Sequence, residues 1–192
     1  LNGVETVIHL ACISNDPSFE LNPELGKSIN FDCYEPFVAA AVKKGVKRFI
    51  YASSSSVYGI KAHKDVIETD TLEPLTDYSK YKVLCEEVLN SYQSDKFETV
   101  IVRPATVCGY SPRVRLDVVV NLMSNLAYNN RKITIFGGDQ LRPNINIKDM
   151  VRVYGLLIEA PSALVSGQTF NAGFENYTVQ RIAEVVKNVI GD

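Results

Sequence analysis

"KRFIYASSSSVYG" runs from Lys47 to Gly59. Its first half is a continuous apolar run, Phe49-Ile50-Tyr51, and its second half is a string of small hydroxyl residues. A strand wetted on one face alternates apolar with polar residues. A run without that alternation marks a strand covered on both faces. "ETVIHL" (Glu5–Leu10) and "ETVIVR" (Glu98–Arg103) read the same way, the latter stopped by Pro104.

Between these strands the apolar spacing is helical. Ile29, Phe37, Val38, Ala41 and Val42 predict a helix over about 23–44, kinked at Pro36 and closed by Gly45. A second helix is predicted over 78–92 and a third over 116–128. Short strands follow at "ITIF" (133–136) and "NINI" (144–147), then a helix over 149–159, the strand "QTFNAG" and a helix over 179–190. Strands alternate with helices, and no hairpin signal separates the main strands. That order implies parallel strands with crossover helices on both faces, a doubly wound α/β fold.

The totals fit an ordinary globular chain. Of its 192 residues 46% are hydrophobic and 22% charged, with a formal net charge of −2. No basic stripe suggests nucleic acid. Lys43, Lys44, Lys47 and Arg48 cluster near Gly45, where they read as solvated charges complementing a helix end. No apolar run is long enough to suggest a membrane partner. Cys12, Cys33, Cys85 and Cys108 lie far apart in apolar contexts and read as buried, reduced thiols of a cytoplasmic protein. With only His9 and His63 a His/Cys metal site is not expected, and His9 reads as a packed strand residue. The opening "LNGVETVIHL" reads as mid-domain sequence, so a piece of a longer protein is expected.

In open parallel sheets ligands bind beyond the carboxyl ends of the strands. Those ends carry "HLAC", "SSSSVYG" and "RPATVCG". On the helix beginning "DYSKYKVLCEE", Tyr81, Leu84, Val88 and Tyr92 form the predicted apolar stripe, with Tyr78, Lys82, Cys85 and Leu89 at its edge. Tyr78 and Lys82 therefore share an inward-leaning face one turn apart. By spacing alone they read either as a packing tyrosine with a solvated lysine or as an acid/base pair.

Taken together the motifs resemble the extended short-chain dehydrogenase/reductase family, in its nucleotide-sugar epimerase and dehydratase branch. The resemblance implies a Rossmann-like fold with a smaller substrate-binding portion. It places residues 1–108 and 143–165 in the dinucleotide-binding domain, and 109–142 and 166–192 in the substrate-binding portion. "VIHLAC" is similar to the segment beside the dinucleotide, which implicates Leu10, Ala11 and Cys12. "SINFD" implicates Asn30. In "SSSSVYG" the family's catalytic hydroxyl falls on Ser54, after Ser53, and "YSKYK" supplies Tyr78 and Lys82 as both catalytic and cofactor-binding residues. "RPATVCG" brings Pro104 to the nicotinamide and Thr106 to the sugar. "LRPNINIKDM" brings Arg142 to the nucleotide diphosphate. Arg113 and Arg115 follow "GYSP"; they suit phosphoryl oxygens or solvent equally, and Asp117 reads as a first-turn helix residue.

The resemblance implies NAD as cofactor, with NADP as an alternative, and a nucleotide-diphosphate sugar as substrate. The family's glycine-rich fingerprint is missing, as expected if the first βαβ units lie upstream. The family's dehydratases carry Asp-Glu directly after the hydroxyl residue, whereas Ser55 and Ser56 stand here. The expected activity is thus epimerisation through a transient 4-keto sugar. A reductase, a 4,6-dehydratase and a non-catalytic dinucleotide-binding protein are the alternatives. Ionising a tyrosine of pKa near 10 at pH 7 requires about 4 kcal/mol of differential stabilisation, which nearby positive charge from Lys82 supplies in part. A homodimer pairing through the helices at 23–44 and 78–92 is also expected.

Overall fold

The computed structural model describes residues 1–63 and 65–191. In chain order the elements are β1 (Thr6–His9), α1 (Asp16–Glu20), α2 (Pro23–Lys27), a π turn (Ser28–Asp32), α3 (Tyr34–Lys43) and β2 (Arg48–Ala52). A 3-10 turn (Ser55–Tyr58), α4 (Asp77–Ser91), β3 (Glu98–Pro104), β4 (Thr106–Cys108), α5 (Val119–Asn130) and β5 (Leu141–Asn146) follow. The chain closes with α6 (Ile147–Glu159), α7 (Ser162–Val165), β6 (Gln168–Ala172), β7 (Glu175–Thr178) and α8 (Val179–Ile190). It divides into two compact units, Leu1–Arg103 with Tyr154–Asn171, and Pro104–Val153 with Ala172–Asp192.

The first unit is built on a four-stranded sheet ordered β1-β2-β3-β6. β1 and β2 pair in parallel, Thr6 opposite Arg48 and His9 opposite Tyr51; β2 and β3 continue with Arg48 opposite Glu98 and Ala52 opposite Val102. The predicted parallel α/β architecture is present, and the carboxyl ends of these three strands share one edge. Val7, Phe49, Tyr51 and Ile101 meet Tyr34, Val38 and Ala41 of α3 and Cys85 and Leu89 of α4 in one core. α3 ends in a Schellman motif, with Gly45 at φ 76°, Gly45 N–H on Val42 O and Val46 N–H on Ala41 O. α4 starts in a reciprocal cap: Thr76 Oγ1 accepts from Ser79 N–H, and Thr76 N–H donates to Ser79 Oγ.

Several expectations give way here. The helix predicted through 23–44 is interrupted at the π turn rather than at Pro36, which lies in the first turn of α3. A proline there lacks only an N–H that a first turn leaves unpaired in any case. Arg48 is buried: its Nε meets Glu98 at 2.7 Å, and its Nη1 donates to Leu157 O and Ile158 O in the last turn of α6. It does complement a helix end, but from inside the protein. Cys33 is exposed, and all four cysteines are free.

The buried stripe of α4 is shifted from the predicted one, of which Tyr81, Val88 and Tyr92 are half-buried and pack at its margin. Its buried residues are Ser79, Lys82, Cys85, Glu86 and Leu89, while Leu84 is 38% exposed. A wheel that counts only apolar letters excludes Lys82 and Glu86 and so is centred to one side of the buried face.

The second unit carries a separate sheet ordered β4-β5-β7, with β5 parallel to β4 and antiparallel to β7. Met123 and Ala127 of α5 pack with Val179, Ile182, Ala183 and Val186 of α8. "ITIF" forms no strand; Ile133 and Ile135 lie in irregular backbone and pack against this core. Asp117 precedes α5 and pairs with Arg115 at 2.6 Å, so it is not a first-turn residue.

Candidate active site

β2 delivers its chain to the sheet edge at Ala52, and the backbone then turns through Ser53 and Ser54 into the 3-10 turn. Ser54 Oγ caps that turn. It accepts from Ser56 N–H at 3.2 Å and from the Ser56 hydroxyl at 2.9 Å, which directs its own proton elsewhere. Gly59, at φ 69°, ends the turn. A Cβ there would sit 2.2 Å from Glu73 O, so only glycine fits.

α4 faces this segment. Lys82, 4% exposed, donates from Nζ to Ala52 O at 2.7 Å. The same ammonium lies 4.9 Å from the centre of the Tyr51 ring and 5.6 Å from that of Tyr78. Tyr78 is half-buried in the first turn of α4, beside a cavity of about 250 Å³ that Asp16, Phe19, Glu20 and Leu75 also line.

The neighbours of Lys82 are held neutral. Burial, with the Lys82 charge adding to it, pushes the His9 imidazole down to about 4. His9 packs against the rings of Tyr34, Phe37, Phe49 and Tyr51, as a strand histidine should. Burial raises the Tyr34 and Tyr51 phenols and pushes the Cys85 thiol up to about 11. Among the described residues no carboxylate forms an ion pair with Lys82. Its charge is therefore available to an anion formed beside it.

The other candidates are distributed as follows. Leu10 and Ala11 are exposed beyond β1, and Cys12 is half-buried. Asn30 is buried, and its carboxamide spans one residue of the loop after β1. Its Oδ1 accepts from Ile13 N–H at 2.8 Å and its Nδ2 donates to Ile13 O at 3.0 Å. Ser53 is buried and its hydroxyl donates to Glu86. Pro104, Thr106, Arg113 and Arg142 belong to the second unit. There Arg113 and Arg142 are exposed, and Arg142 Nη2 meets the neutral Gln140 Oε1 at 3.0 Å.

Sequence reasoning missed a buried polar network behind Ser54. Glu86 pairs with Arg103 through Nη2 at 2.6 Å and Nε at 3.1 Å. Arg103 Nη1 donates to Tyr58 Oη at 2.8 Å and to Glu68 O at 3.0 Å, and Tyr58 Oη donates to Asn171 Oδ1 at 2.7 Å. Burial opposes the Arg103 charge, but its hydrogen bonds to Glu86 and Tyr58 outweigh it and hold the guanidinium above its usual range. Two signals could have exposed the network: Glu86 stands one turn beyond Lys82, and Arg103 ends an otherwise apolar strand.

A parallel α/β sheet, a hydroxyl-bearing turn after β2 and a tyrosine–lysine pair on the next helix define the extended short-chain dehydrogenase/reductase class. Within it, the chain belongs to the NAD dependent epimerase/dehydratase family, whose profile matches residues 1–173. It is 30% identical over 197 residues to the uncharacterized UDP-glucose epimerase YtcB of Bacillus subtilis (strain 168), covering 100% of this chain and 60% of that protein. It is also 30% identical over 154 residues to the dTDP-D-glucose 4,6-dehydratase of Homo sapiens, covering 78% of this chain and 43% of that one. Among solved structures, the UDP-glucuronic acid 4-epimerase from Bacillus cereus, in complex with UDP-glucuronic acid and NAD, superposes with a TM-score of 0.85 at 27% identity. That match covers 98% of this chain and 60% of the other. The chain thus spans 43% to 60% of the length of these curated relatives.

Proposed function

We propose that the intact protein is an NAD-dependent epimerase of nucleotide-diphosphate sugars, working through a transient 4-keto sugar. The observation that carries this reading is Lys82: a buried ammonium fixed to Ala52 O, 5.6 Å from the centre of the Tyr78 ring and without an ion pair among the described residues. The surroundings suit a dinucleotide. Among the described residues Lys82 spends one of its three N–H groups on Ala52 O, which leaves the others for a ligand. Leu10 and Ala11 are exposed at the strand edge, and Asn30 holds the loop that follows. Leu10, Ala11, Cys12, Asn30, Ser53, Tyr78, Lys82 and Pro104 would hold NAD. When bound, NAD supplies a hydride acceptor for the sugar carbon and returns the hydride.

The chain's own residues manage the proton. Tyr78 Oη, as phenolate, takes it from the sugar hydroxyl and later gives it back. The Lys82 charge stabilises that phenolate. Ser54, whose lone pairs are engaged by Ser56, donates its hydroxyl proton to the sugar oxygen as negative charge develops there. Thr106 contacts the sugar, and the exposed guanidinium groups of Arg113 and Arg142 meet the diphosphate. Residues 1–108 and 143–165 form the dinucleotide-binding portion, and 109–142 and 166–192 the substrate-binding portion.

Epimerisation is favoured over dehydration because Ser55 and Ser56 offer no carboxyl group to protonate a departing hydroxyl. The similarity to the human 4,6-dehydratase supports dehydration as the second reading. The proposal extends to a cytoplasmic homodimer pairing through α3 and α4, whose Val42 and Leu84 are exposed. Sedimentation of the intact protein as a monomer at micromolar concentration would count against the dimer.

The decisive experiment denatures the purified intact protein, measures released NAD, and follows UDP- and dTDP-hexoses by chromatography. The expected result is NAD in stoichiometric amount and an equilibrium mixture of two epimers. Tyr78→Phe should lower kcat about 10²- to 10⁴-fold. Wild-type turnover in that variant would sink the assignment, and accumulation of a 4-keto-6-deoxy product would move it to the dehydratases.

A further inference from the structure

Glu86 and Arg103 are 3% and 6% exposed, and the proton chemistry above uses neither. A buried ion pair is not by itself a gain in stability, since an apolar pair of similar volume commonly does as well. What distinguishes this pair is what it grips. Glu86 Oε1 accepts from the hydroxyl of Ser53, and Arg103 Nη1 donates to Tyr58 Oη. Ser53 and Tyr58 bracket the turn that carries Ser54. Both ends of that turn are therefore tied to one buried pair, and Tyr58 is tied a second time, to Asn171. Lys82 holds the preceding residue, Ala52, one helical turn earlier on the same face of α4.

We infer that Glu86 and Arg103 are positioning residues: they fix the Ser54 hydroxyl by clamping its turn from beneath, acting on the reaction only through Ser54. This rests on the catalytic role proposed for Ser54. Tyr78, Lys82 and Glu86, four residues apart in sequence, thus divide the work of α4 into taking the proton, supplying the charge and aiming the hydroxyl.

The test is a double-mutant cycle in the intact protein, read as turnover of whichever UDP- or dTDP-hexose the wild type interconverts. Tyr58→Phe removes the hydroxyl through which Arg103 reaches the turn and leaves the Glu86–Arg103 pair intact. Glu86→Gln keeps an acceptor for Ser53 but unbalances Arg103, so it can fail to fold; Tyr58→Phe keeps the test standing if it does. The expected effect of Tyr58→Phe is a fall in kcat of about 10- to 100-fold, the cost of a small misplacement, with KM within about twofold. In a Ser54→Ala background the same substitution should cost nothing further, because the group it aims is gone. An unchanged kcat in Tyr58→Phe, or equal losses in both backgrounds, overturns the inference while leaving the epimerase reading in place. Wild-type turnover in Ser54→Ala overturns both the role of Ser54 and the inference built on it.

Discussion

α4 and α8 are both amphipathic helices capped by threonine, and each buries positions at three- and four-residue spacing. α8 buries Val179, Ile182, Ala183 and Val186. α4 buries Ser79, Lys82, Cys85, Glu86 and Leu89. The geometry is the same and the chemistry opposite. α8 gains stability wherever it touches its core, at about 25 cal/mol per Å² of apolar surface. α4 sets an ammonium and a carboxylate against its sheet, where each must find a fixed partner or cost several kcal/mol. A helix with packing as its only task shows its face in its apolar letters. A helix that places charges hides it.

The largest effect should come from unbalancing α4. Arg103→Met leaves Glu86 buried without its counter-ion and should cost about 3–5 kcal/mol in urea unfolding of the intact protein. Adding Glu86→Met should recover at least half of that while turnover stays low. Failure to recover would mean that the pair serves stability after all, and the contrast with α8 would lose its basis. In α8, Ile182→Ala should cost about 3 kcal/mol through lost contacts and a residual cavity, with kcat no lower than the folded fraction requires.

A smaller effect comes from His9, whose imidazole is lowered first by burial and then by the Lys82 charge. The folded imidazole titrates at about 4 and the ordinary value is 6.5, so between the two the unfolded chain binds the extra proton. Stability is then full above pH 6.5, declines as the pH falls through that window, and has lost the whole contribution below it. Allowing for partial exposure this is about 2 kcal/mol. His9→Phe should flatten urea midpoints over that range. Lys82→Met should raise the His9 pKa in an NMR titration; no movement would mean that the α4 charge is not felt there. The smallest effect should be Leu84→Ser, within about 0.5 kcal/mol by thermal unfolding, because Leu84 lies off the buried face.

Much of this was legible in advance. Three unalternating runs marked the parallel strands, and Gly45 marked the end of α3 through a position that needs positive φ. Tyr78 and Lys82 could be placed on one face by counting, whereas Ser54 was singled out only by the resemblance to the family. What escaped notice did so for physical reasons. β4 and β7 span three and four residues, too few for a period to register. Ile133 and Ile135 alternate like a strand, yet they reach their core as side chains from irregular backbone. Glu86, Arg103 and Arg48 carry charges that a sequence scan assigns to the surface; the positions of Glu86 and Arg103 hint at burial, but the partners of all three lie on other elements.

The π turn at Ser28–Asp32 has a consequence for how this protein can change. Gly26, Asn30, Tyr34 and Val38 are all buried at strict intervals of four. On a regular helix three such steps drift by about 120°. The Cys33 N–H to Ser28 O bond closes a wider turn, which holds one more residue and absorbs part of that drift. Deleting a single residue between 28 and 32 would let the segment relax into an ordinary helix. Val38 would then stand eleven regular steps beyond Gly26, which returns it to within about 20° of the same face. Tyr34 and Val38 would stay in the core, and Asn30 would keep its bonds to Ile13 unless it were itself the residue removed. Ser28, Ile29 and Asp32 are exposed and can vary in identity, and one residue can be removed, so a further insertion, which would rotate everything downstream by about 100°, is the change this segment should not survive.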